Sequence, residues 1–207
     1  MKKTLPPDFQ NRLWTAIKAI EQHSQVEVVV VLRSRSADYH DIHLSWGLLG
    51  AWLGLTYSIF APTLFSDLWV YSLPIGGFML AYLLAHIPAL TRLSAGKRRL
   101  NKQVEIMARA VFQKGGIQHT QAKIGVLVYC SWLERRTYLL PDQGAAQALP
   151  AAVWHTLEAG LQNAMTSPKP LEALLVELAK AQPIFQRYLP PQANDINELP
   201  DLMEIDL

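Results

Sequence analysis

Hydrophobic positions along this chain change their spacing several times, and each change marks a different kind of element. From Pro7 to His23 the apolar residues Phe9, Leu13, Ile17 and Ile20 recur at helical spacing, which predicts a helix with one buried face. Val26 to Leu32 (VEVVVVL) then runs almost without a polar break, as expected of a strand buried on both faces. Two long uncharged stretches follow: Leu44 to Ser66, and Leu68 to Leu90, where His86 is the sole ionisable side chain. After Gly96 helical spacing returns at Leu100, Val104, Met107, Val111 and Phe112, and Gly115-Gly116 ends that helix. Lys123 to Cys130 predicts a second apolar strand, with Glu134 to Leu140 as its hairpin partner. Pro150 opens a helix carrying Val153, Trp154, Leu157 and Leu161. Pro168 or Pro170 opens another, with Leu171, Leu174, Leu175 and Leu178 on one side.

Each uncharged stretch exceeds the roughly 20 residues that a helix needs to cross about 30 Å of hydrocarbon. Backbone amides find no water there, so a spanning segment must be helical. The expectation is a transmembrane hairpin with helices at about 44–64 and 68–90, turned at Pro62 and Asp67. Trp46, Trp69 and Tyr71 sit where aromatic side chains favour the membrane interface. Gly50 with Gly54, and Ala81 with Ala85, provide small residues for close packing, either within the hairpin or between copies.

Charge adds an orientation. The net charge of +2 hides a basic first part and an acidic end: residues 137–207 hold three Lys/Arg and nine Asp/Glu. Arg33 and Arg35 precede the hairpin; Arg92, Lys97, Arg98, Arg99 and Lys102 follow it; the turn has none. The positive-inside rule therefore puts both flanks in the cytoplasm, as in an inner-membrane protein if the source is bacterial. At this address the basic cluster reads as a contact for anionic lipid, with no nucleic-acid partner. Pro190 to Leu207 carries five acidic residues, three prolines and no base, which predicts a flexible tail. The lone Cys130 admits no intrachain disulfide and reads as a small buried hydrophobe.

Several short patterns fall in a familiar order. Ala108 and Phe112, then Thr120, then Gly125-Val126-Leu127-Val128-Tyr129, then Glu134-Arg135-Arg136, Asp142-Gln143-Gly144 and Trp154 together resemble the TPM domain family. Ile17, Ile20-Glu21, Ser24 and Glu27-Val28-Val29-Val30 are similar to that family's first helix and strand. The resemblance covers about half of the chain. It implies a TPM-like α/β sandwich interrupted by the two-helix transmembrane hairpin. Residues 1–43 would supply its first helix and strand, 44–90 the hairpin, 91–189 the remainder and 190–207 the tail.

Some members of that family are acid phosphatases or bind calcium, so the resemblance also implies a divalent cation held by acidic residues. The oxygen donors that fit are Asp142, Glu27, Glu21 and Thr120, scattered along the chain. No glycine-rich phosphate loop and no Asp-x-Asp pair accompanies them. Asp142 also has the composition of a turn, and Glu134 with its two arginines that of a solvated strand end. His40 and His43, beside Asp38 and Asp41, form the one histidine pair at metal-ligand spacing. The expected activity is that of a membrane-anchored interaction or assembly module, with partners in a membrane complex or a second copy. The alternative is a metal-assisted phosphatase.

Overall fold

The computed structural model describes residues 7–62, 65–117, 123–191 and 203–206. Helix α1 spans Pro7–His23 and strand β1 Glu27–Arg33; α2 spans His40–Phe60, α3 Asp67–Ala85 and α4 Pro88–Lys114. Strands β2 (Gly125–Ser131) and β3 (Arg136–Pro141) follow, then α5 (Gln143–Ala148), α6 (Ala151–Thr166), α7 (Pro170–Tyr188) and β4 (Met203–Asp206). The chain forms two compact units. One joins residues 1–36 to 101–207, and the other is the continuous stretch 37–100.

In the discontinuous unit a mixed sheet runs in the order β3-β2-β1-β4. β1 pairs in parallel with β2 from Glu27↔Gly125 to Arg33↔Ser131, while β3 returns antiparallel along β2. Alternation of side chains sorts the strands into two faces. Val28, Val30, Leu32, Val126, Val128 and Cys130 turn to one core, where Leu13 and Ile17 of α1, Leu157 and Leu161 of α6, and Leu174 and Leu178 of α7 close over them. Val29, Val31, Leu127 and Tyr129 turn to the other, against Val104, Ala108, Val111 and Phe112 of α4. Burying each such aliphatic side chain contributes roughly 1.5–3 kcal/mol, so an all-apolar β1 is what a sheet covered on both faces demands. On the periphery Arg12 of α1 grips Glu172 of α7 with two hydrogen bonds of 2.8 and 2.7 Å.

Two expectations about this unit change. Pro141-Asp142-Gln143-Gly144 is more than a turn, because Asp142 caps the short helix α5. The acidic end is not wholly a loose tail either: Met203–Asp206 adds β4 in parallel to β1, from Val30↔Met203 to Arg33↔Asp206. Residues 192–202 and Leu207 lie outside the described residues.

The second unit is a helical hairpin. Phe60 ends α2, and Ala61 is extended before Pro62, as steric conflict with the proline ring requires. The glycines serve contacts within this hairpin. A Cβ on Gly50 would overlap the Gly77 carbonyl, and one on Gly54 would come within 2.6 Å of the Leu73 carbonyl. Around that seam the outward residues are apolar: Leu48, Trp52, Ile59, Ile75, Leu80 and Leu83 are all exposed.

Among the described residues one helix, α3, is long and apolar enough to cross a membrane, and only 6% of its apolar window is buried. The expected pair of spans is therefore met by composition in one helix. α2 falls short because His43, two tryptophans, a tyrosine and several glycines and serines dilute its leucines. The second apolar stretch is also shorter than its sequence suggests. α3 ends at Ala85 with His86 as cap, and Pro88 starts α4. Thr91 joins the two, its buried hydroxyl donating to the Ala85 carbonyl at 2.8 Å. At Gly96 (φ 71°, ψ 152°) α4 breaks, a backbone conformation that glycine adopts without a Cβ penalty.

The hairpin seam is testable by a matched pair of substitutions. Gly50→Ala should destabilise the protein by about 1–3 kcal/mol, the usual cost of overpacking. Gly76→Ala, with open space around its Cα, should be neutral or slightly stabilising. Thermal unfolding in detergent micelles measures both.

Candidate functional site

Glu21, on the last turn of α1, accepts a 3.1 Å hydrogen bond from the Val28 amide. Glu27, which opens β1, is buried; the two glutamates share the wall of a cavity of about 190 Å³ with Lys18, Gln22 and Gln25. Asp142 stands at the same end of the sheet on the far side of β2. Its amide donates to the Gly125 carbonyl at 2.8 Å, and Gly125 is the residue opposite Glu27. Asp142 Oδ1 accepts from the Gln143 amide at 2.7 Å, whereas Oδ2 is buried with no hydrogen-bond partner among the described residues. Thr120 lies outside the described residues. Among those described, no group of three or more His, Cys, Asp or Glu side chains converges as metal ligands.

The histidine pair belongs to the hairpin. His40 and His43 have ring centroids 6.1 Å apart, and His43 lies against His86 of the other arm at 4.0 Å, with Tyr82 alongside. His86 Nδ1–H donates to the Tyr82 carbonyl at 2.9 Å, leaving Nε2 as its basic nitrogen. Asp41, an expected companion ligand, is engaged elsewhere. Arg99 reaches it with two hydrogen bonds of 2.6 and 2.9 Å and holds its carboxyl below the usual value, against the opposing effect of partial burial.

A buried carboxylate was hidden in the sequence. Glu134, read there as a solvated strand end, is 1% exposed. It occupies the turn after β2, at the carboxyl ends of the parallel strands. Oε1 accepts from the Ser36 amide at 3.0 Å and Oε2 from the Ser131 hydroxyl. Ser36 Oγ shares a 3.0 Å hydrogen bond with the Tyr129 hydroxyl, whose pKa is raised by burial against the pull of that bond. The Trp132 and Leu133 amides donate to the Arg33 and Ser34 carbonyls at 2.9 and 2.8 Å. This network fastens the chain leaving β1 to the β2–β3 turn. The one sequence signal was polar Ser131 and Glu134 closing an apolar strand.

Cys130 and Arg136 stand at the Cys-x5-Arg spacing of thiol phosphatases. The fold removes its chemistry. The two residues lie on neighbouring strands of a hairpin, and burial pushes the Cys130 thiol up to about 12, far from a reactive thiolate.

A cleft of about 550 Å³ in this unit lies along the outer edge of β3 between α4 and α6. Asn101 and Glu105 form one wall, and His155, Glu158 and Gln162 the other. Gln162 seals part of the strand edge: Oε1 accepts from the Thr137 amide at 3.1 Å while Nε2 donates to the Arg135 carbonyl at 3.1 Å. Thr137 is buried in the floor, and its Oγ1 has no hydrogen-bond partner among the described residues.

Two predictions follow from this geometry. Glu134→Ala leaves the Ser36 amide and Ser131 hydroxyl without their buried acceptor and should cost about 2–4 kcal/mol; Asp142→Ala removes one helix cap and should cost about 1 kcal/mol. Chemical denaturation in micelles compares them. For the ion pair, the carboxyl of Asp41 titrates below its ordinary 3.8, so its stabilising contribution is complete above that value and disappears as pH falls through the folded pKa. Arg99→Ala should move the Asp41 titration up towards 3.8, read from its carboxyl carbon shift by NMR.

No family model matches the chain, and no curated protein matches it. Among solved structures, the NMR structure of the BA42 protein from the psychrophilic bacterium Bizionia argentinensis is similar over 99% of this chain and 97% of that one, at 15% identity and a TM-score of 0.61. That likeness is one of fold.

Proposed function

We propose that this protein is a membrane-anchored TPM-like domain that serves as an interaction or assembly module at the cytoplasmic membrane surface. The observation that carries the reading is the hairpin. Its glycine seam is closed, and its outward side chains are large and apolar, with only 6% of the apolar window of α3 buried among the described residues. A lipid bilayer is the solvent that suits such a surface. In this reading both α2 and α3 enter the membrane, with α2 shielded by its partner where glycines and polar groups meet. The flanking arginines and lysines set the orientation.

The carboxylates that a hydrolase would use have structural employment, which favours a binding role. Asp142 caps α5, Glu21 holds a β1 amide and Glu134 is sealed in the turn network. One observation supports the rival metal-assisted phosphatase: the partnerless Oδ2 of Asp142, across β2 from Glu27. Partners would be components of a membrane complex or a second copy.

A phosphatase assay on protein in nanodiscs, with p-nitrophenyl phosphate and calcium or magnesium, separates the two readings. The interaction reading expects wild type and Asp142→Ala to be equally near background. Activity well above background in the wild type and lost in Asp142→Ala would establish the hydrolase instead.

A further inference from the structure

We propose that the outer edge of β3 is an acceptor site for an extended peptide strand carrying a basic side chain, with Gln162 holding its place in the free protein. This deepens the interaction-module reading by naming the chemistry of the partner. β3 is an edge strand of the sheet. In an antiparallel strand the amide and carbonyl of a residue point to the same side, and that side alternates along the chain. The Thr137 amide points away from β2, towards Gln162. The Leu139 amide and carbonyl therefore point outward as well, along the same edge. Pro141 has no amide to offer and ends the usable edge.

The Gln162 carboxamide supplies one acceptor to the Thr137 amide and one donor to the Arg135 carbonyl. In an added antiparallel strand the first of those bonds falls to the residue opposite Thr137 and the second to the residue opposite Arg135. The edge is thus already read by an amide, and a peptide would extend the same ladder to Leu139 after displacing it.

Side-chain direction then fixes the chemistry of the guest. A residue opposite Thr137 shares its face of the sheet, the face covered by α6. Glu158 on that wall has no ion pair among the described residues, whereas Glu105 on the opposite wall is engaged by Arg109 at 2.9 Å. A Lys or Arg opposite Thr137 meets Glu158, and the buried Thr137 hydroxyl gains a polar neighbour. An apolar residue next to it turns to the other wall, beside Val104.

The test uses the full chain in zwitterionic nanodiscs and a fluorescein-labelled peptide, Thr-Val-Val-Lys-Thr, followed by anisotropy with empty nanodiscs as control. In antiparallel register its first valine faces Leu139 and its lysine faces Thr137. Saturable binding is expected. N-methylation of the first valine, which deletes one ladder bond, should weaken it about tenfold, and Glu158→Gln several-fold. Gln162→Ala should tighten it by removing the competing amide. No saturable binding, or equal binding of the N-methylated peptide, overturns the strand-acceptor site. Unchanged binding to Glu158→Gln overturns the assignment of a basic guest. Because the N-methylated peptide meets wild-type protein, the test of the strand-acceptor site does not depend on a variant folding. Phosphatase activity in the wild type would refute the non-enzymatic reading and leave this peptide measurement standing.

Discussion

Seven rungs of parallel pairing between β1 and β2 hold together two pieces of chain that the helical hairpin separates. Parallel ladders are costly to close, because loop entropy is lost before any rung forms. What makes this one hold is the absence of polar side chains along its middle. Val28 to Leu32 and Val126 to Cys130 are buried on both faces of the sheet, so every rung is made where water cannot compete. Both helical layers depend on it, since α1, α6 and α7 pack on one face of these strands and the second half of α4 on the other.

The polar groups of this unit collect where the ladder ends. Glu134 draws the Ser36 amide and the Ser131 hydroxyl to one carboxylate at the point where the chain leaves β1 for the hairpin. A buried polar group needs hydrogen-bond partners, and here each carboxyl oxygen accepts one. In the hairpin unit, by contrast, the solvent-side charges are exposed pairs such as Asp41 with Arg99, and cohesion comes from glycine-lined contact of two apolar helices. The two units thus use different physics.

Most elements were legible because periodicity reports burial directly. α1 begins and ends at Pro7 and His23 as its stripe of Phe9, Leu13, Ile17 and Ile20 suggests, and the apolar runs found β1 and β2 to within a residue or two. α5 was missed because QGAAQA has no apolar period, and β4 because an acidic, proline-rich composition outweighs four residues of strand. The membrane stretches were read too long: charge-free sequence continues through His86 and Pro88, but the helix does not. Sites fared worse than elements. Whether a glutamate is a solvated strand end or a buried acceptor depends on what tertiary contact brings to it, and Ser36 reaches Glu134 from the other side of the hairpin. Likewise the cleft beside β3 is built from α4 and α6, which share no motif in the chain.

The proposed anchor is most directly tested by cysteine accessibility at the middle of α3. Ile75 is 65% exposed on the protein surface, so the described residues of its own chain do not shield a cysteine placed there. The native Cys130 is buried and unreactive, and contributes no background. In vesicles opened to a hydrophilic maleimide on both faces, Ile75→Cys should stay unlabelled while Thr156→Cys, on an exposed part of α6, labels readily. Labelling of Ile75→Cys at the rate of Thr156→Cys would place α3 in water and contradict the account.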